Sequence, residues 1–151
     1  MNDVNNNYHS SAPLPAEIVL KPIKAVIVGL LLCFIGVQIL SAVTHVAFAV
    51  SIEAAITEDG FPIEVTSNII FLLIDSTITL FFLFWCGRFF VKFIPGKENK
   101  FGIIVASITA VLYIANALTT IEVLSSYPIW YLGVSFIAAP VVIYFGAKSK
   151  E

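Results

Sequence analysis

The chain has 151 residues, 59% hydrophobic and 12% charged, with a formal net charge of -2. Soluble domains average about 25% charged residues, so this composition cannot cover a water-facing surface and excludes an ordinary soluble domain. The weak negative charge, with no Lys/Arg cluster, speaks against a nucleic-acid surface. Cys33 and Cys86 lie in apolar runs outside any CxxC motif, which argues against a disulfide scaffold or a dithiol enzyme.

Residues 1–20 begin MNDVNNNYHSSAPLPAE, an Asn- and Ser-rich stretch expected to form a disordered cytoplasmic tail. The remainder, 21–151, is expected to form one transmembrane domain with four spans at about 24–50, 66–93, 101–121 and 127–147. Each span reaches the roughly 20 apolar residues that cross a bilayer. The first is too long for a signal-peptide core of roughly 7–15 residues, so a retained helix is expected. TEDGFP (57–62), IPGKENK (94–100) and SSYP (125–128) supply the breaks with Gly, Pro and charge. The expected fold class is therefore all-α: an antiparallel four-helix transmembrane bundle, integral to the membrane.

Orientation follows from the basic residues. Lys21, Lys24, Arg88, Lys92, Lys97, Lys100, Lys148 and Lys150 all fall at the N-terminus, the second loop or the C-terminus. The first and third loops carry none, and the positive-inside rule then places both termini in the cytoplasm. The first loop instead holds Glu53, Glu58, Asp59 and Glu64, read as a solvated acidic segment. Tyr127, Trp130 and Tyr131 open the fourth span and suit an interfacial aromatic anchor. The closing VIYFGAKSKE is similar to the ends of four-helix bacterial inner-membrane proteins. The stretch is too short to carry anything over; the four spans and the basic-residue pattern give the expected localisation, a multi-pass protein of the cell membrane, of bacterial inner-membrane type, with both termini cytoplasmic.

Polar residues inside the spans carry the functional information. Asp75 lies within the apolar stretch NIIFLLIDSTITLFFLFWCGRFF. A carboxylate at membrane depth costs about 2.5–3.5 kcal/mol on insertion scales, so it is expected to face the bundle. At 100° per residue, Asp75 and Thr79 share a face of the second helix. Gln38, Ser41 and His45 share one on the first, Tyr113 and Asn116 on the third, and Tyr131 and Ser135 on the fourth. Helix lengths bring His45, Asp75, Asn116 and Ser135 to similar depth. The expected cluster is thus His45, Asp75, Thr79, Tyr113, Asn116 and Ser135, with His45 as the titratable partner of Asp75 and Thr79, Asn116 or Tyr113 as hydrogen-bond donors. Arg88 lies about 20 Å from Asp75 along the axis and is not its partner.

A second face of small residues, Gly29, Cys33, Gly36 and Ala47, permits close helix approach, within the bundle or between copies. Pro140 is expected to kink the fourth helix. The sequence presents no nucleophile beside a base, no metal-ligand spacing and no phosphate loop, so no cofactor or metal is expected. Two functions remain. The first is a non-enzymatic partner-binding or regulatory component, with the lipid bilayer, a second copy or another membrane protein as partner. The second is a small proton- or cation-coupled transporter or channel using Asp75 and His45.

Overall fold

The computed structural model describes residues 21–54, 56 and 61–149. The tail expected over 1–20 lies outside the described residues, as do Glu58, Asp59 and Lys150 of the charge pattern. Four helices are long and apolar enough to cross a membrane: α1 Pro22–Ser51, α2 Ile69–Phe93, α3 Glu98–Thr119 and α4 Ile129–Lys148. No strand occurs among the described residues.

The helix ends have local causes. Pro22 sits in the first turn of α1, where its missing N–H costs nothing. Glu53 takes φ 56° just past α1, and Ala54 N–H donates to the Ala49 carbonyl at 2.9 Å, closing the helix in the left-handed way usual for glycine. The sequence pattern carried α2 back to residue 66. The helix instead starts at Ile69, because the Asn68 side chain accepts from Phe71 N–H at 3.0 Å and caps it. A short helical turn, Ile63–Thr66, precedes that cap. α3 starts three residues earlier than the pattern suggested, after a turn in which Gly96 adopts φ 77°.

Consecutive helices run antiparallel, as expected, but the tightest crossing joins α2 and α4, which run parallel. A Cβ on Gly87 would collide with the Ile143 carbonyl oxygen, and one on Gly146 with that of Phe84. Only glycine allows the two backbones this close. α1 and α4 each pack on both α2 and α3, so the order around the bundle is α1, α2, α4, α3. α1 meets α3 chiefly along Pro22–Gly36, and farther along the two helices part.

Two of the long helices contain a π turn, Leu31–Gly36 in α1 and Val134–Ala138 in α4. In α1 the buried residues Ala25, Gly29, Cys33, Val37, His45 and Ala49 recur at steps of four or eight. A pure α-helix drifts about 40° per four residues and would carry this row off the bundle. The wider π closure restores the phase. In α4 the π turn contains Phe136, whose carbonyl would collide with the ring of Pro140 in an α-helical ladder. The disruption of the ladder expected at Pro140 takes the form of a π turn.

The core divides in two. Cys33, Leu83, Cys86, Phe90, Val105, Ile143 and their neighbours fill the end that carries both termini. Ala49, Val65, Phe71 and Leu72, with Phe48, Phe61, Tyr127 and Tyr131 against them, fill the opposite end. Large apolar side chains also cover the exterior: Ile23, Phe81, Ile129 and Ile137 are each more than 70% exposed. Soluble monomers rarely expose so many large apolar side chains together.

Candidate functional site

Between the two cores lies a cavity of about 370 Å³, bounded by all four long helices. The six residues grouped from sequence, His45, Asp75, Thr79, Tyr113, Asn116 and Ser135, all line it. Gln38 and Ala42 line it too and are exposed, so the cavity opens sideways where α1 and α3 part. Phe61, Tyr127 and Tyr131 wall the end away from the termini.

Asp75 is 2% exposed. Its carboxyl group accepts from the Thr44 hydroxyl of α1 at Oδ1, 2.5 Å, and from the Tyr131 hydroxyl of α4 at Oδ2, 2.6 Å. Those donors differ from the expected ones. Tyr113 donates instead to the Cys33 carbonyl at 3.1 Å, inside the π turn of α1 where the α-helical ladder is broken. Thr44 was not part of the sequence-level cluster because it lies one residue, about 100°, from the His45 stripe; its neighbour α2 lies on that side. Tyr131 shares its stripe with Ser135, but its position at the start of the span suggested only an interfacial anchor. A hydroxyl one turn from Ser135 and facing the depth of Asp75 was the available signal.

His45 approaches Asp75, with Nδ1 3.9 Å from Oδ1. Its closer partner is the Ser41 carbonyl, to which Nδ1 lies at 2.8 Å; a carbonyl only accepts, so Nδ1 carries a proton and donates it. Nε2 at the far edge of the ring is buried without a partner. Around it stand Phe71 at 4.8 Å between centroids, Phe61 at 5.0 Å and Tyr127 at 5.9 Å. The Ser76 hydroxyl, also on the cavity wall, is a second buried polar group without a partner. Buried polar groups are ordinarily paired, so these two leave hydrogen-bonding capacity on the wall.

The Thr44 hydroxyl sits between two acceptors, Asp75 Oδ1 and the Ser41 carbonyl at 2.9 Å, with one proton to share. Tyr127 lies in the turn before α4. Burial pushes its phenol up to about 12, and the negative charge of Asp75 adds to the shift. Tyr127 and Tyr131 stack with centroids 5.3 Å apart, which fixes the hydroxyl of Tyr131 over the carboxylate.

The small-residue face is divided by the structure. Gly29 packs on Phe90 and Val105, and Gly36 on Phe82; Cys33 is fully buried. Ala47 is exposed and lines a groove between α1 and α2 with Phe48, Ile74 and Ile78. Arg88 is exposed at the termini end, remote from Asp75. Among the described residues, no three His, Cys, Asp or Glu side chains converge as a metal site. Comparison with protein-family models, with curated proteins and with solved structures finds no match.

Proposed function

We propose that this chain is a multi-pass integral membrane protein that binds a small solute in the cavity between its four helices, as a proton- or cation-coupled transporter or channel. The observation that carries this reading is the wall of the cavity. It joins a buried carboxyl group to two buried polar groups, His45 Nε2 and Ser76 Oγ, that lack partners. A polar knot serving only to fix helix register would satisfy its own members. Intramembrane ionisable residues facing a cavity are the usual components of ion and solute pathways. The apolar exterior supports a hydrocarbon surrounding. The seven described basic residues are all exposed, and their placement toward one end supports a cell-membrane protein with both termini in the cytoplasm.

Reconstitution into liposomes tests this. Proton or monovalent-cation flux is expected above that of empty vesicles, and Asp75→Asn is expected to lower it at least tenfold while circular dichroism and elution volume stay unchanged. The second reading, a non-enzymatic partner-binding or regulatory component, draws on the exposed groove at Ala47. It predicts that Asp75→Asn leaves function intact.

A further inference from the structure

We propose that the ligand of this cavity is a small amphiphilic amine, bound in its protonated form. The ammonium group sits against Asp75 and His45, and the apolar body lies along the aromatic wall. This inference rests on the reading of the cavity as a solute site and names the class of solute.

Charge is the first argument. Among the described residues lining the cavity, Asp75 is the only Asp, Glu, Lys or Arg. The described Lys and Arg side chains are all exposed, so no fixed cation shares the site. An anionic ligand would meet a carboxylate with nothing to offset it.

Hydrogen-bond inventory is the second. With Nδ1–H donated to the Ser41 carbonyl, the neutral ring of His45 carries a lone pair on Nε2 that no protein group meets. The Asp75 oxygens accept from Tyr131 and from a Thr44 hydroxyl whose single proton also faces the Ser41 carbonyl. Acceptors therefore outnumber protons around this corner of the cavity. A ligand that completes it must bring N–H or O–H donors, and an ammonium brings three with a positive charge.

Size and lining are the third. About 370 Å³ is within the range of small-molecule sites, roughly 300–1,000 Å³, and far larger than an inorganic ion requires. Phe61, Tyr127, Tyr131, Phe136, Leu80 and Leu132 make much of the wall. Their surfaces favour an apolar body, and aromatic faces attract a cation held near them.

The test uses the purified full chain in lipid nanodiscs and three probes of similar shape: protonated 2-phenylethylamine, 2-phenylethanol and phenylacetate. Equilibrium dialysis at neutral pH is expected to show the amine bound at least tenfold more tightly than the alcohol, and the acid not bound. Asp75→Asn is expected to bring the amine down to the level of the alcohol. Equal binding of amine and alcohol, or an unchanged amine affinity in Asp75→Asn, overturns the ligand class. A second measurement separates this from failure of the site and does not depend on the fold of Asp75→Asn. In Ser135→Cys, a small methanethiosulfonate reagent is expected to label the new thiol above the wild-type background, and the amine to protect it. Labelling without protection overturns the amine; no labelling overturns the solute cavity itself, and the amine with it.

Discussion

The hydroxyl of Tyr131 is the clearest single contribution to the buried carboxylate. It reaches Asp75 across helices at 2.6 Å and is held by the stack with Tyr127. Tyr131→Phe removes the donor and keeps the ring, so packing is conserved and the carboxylate loses one of its two bonds. Interhelical hydrogen bonds in membranes average about 0.6 kcal/mol, and bonds to charged groups in soluble proteins reach about 1.5–3 kcal/mol. We expect a loss of about 1–2 kcal/mol in unfolding from mixed micelles. Thr44→Val should cost less, because the Thr44 proton is shared with its own helix. A larger cost for Thr44→Val than for Tyr131→Phe would contradict the assignment of Tyr131 as the principal donor.

At the scale of elements, the decisive contact is the backbone crossing of α2 and α4. A methyl group at Gly87 or Gly146 has no space, because the atom it meets is a carbonyl oxygen rather than a flexible side chain. The helices must separate, and overpacking of this kind costs about 1–3 kcal/mol or more. Gly87→Ala and Gly146→Ala should each lower the unfolding midpoint. Gly133→Ala is the matched control, since nothing lies within 4 Å of its added Cβ, and it should be neutral or slightly stabilising through helix propensity. Thermal unfolding in one detergent compares the three. The small face noticed in the sequence, Gly29, Cys33 and Gly36, lies within the bundle but at looser contacts, with aromatic and aliphatic side chains. Gly87 and Gly146 were not paired from the sequence because neither helix carries a second glycine at packing distance along the chain. Their partnership exists only once α2 and α4 are laid side by side.

For the whole molecule, the outward-facing isoleucines and phenylalanines and the exposed basic residues define an apolar girdle with one basic end. The proposed insertion has both termini on the side carrying Lys97 and Lys100. In oriented membrane vesicles, Ser149→Cys and Asn99→Cys should react with a membrane-impermeant thiol reagent from the same face, and Ser51→Cys from the opposite one. The native Cys33 and Cys86 are buried, which keeps the background low. Reaction of Ser149→Cys and Ser51→Cys from one common face would refute the four-span arrangement.

Hydropathy and turn chemistry alone determined four helices long and apolar enough to span a membrane, because covering hydrocarbon requires long apolar runs and the breaks between them are marked by Gly, Pro and charge. The need to keep a carboxylate out of lipid, with helical periodicity, also picked out the six polar residues that line the cavity. Which of them touch was decided by tertiary structure. The π turns change the rotational phase of α1 and α4, and no uniform 100° step anticipates that. The glycine crossing sets which helices are neighbours, and neighbour identity gives Asp75 to Thr44 and Tyr131 instead of Thr79, Tyr113 or Asn116. Periodicity assigns a side chain to a face of its own helix; hydrogen-bond partners depend on distances between helices, which only the packed bundle fixes.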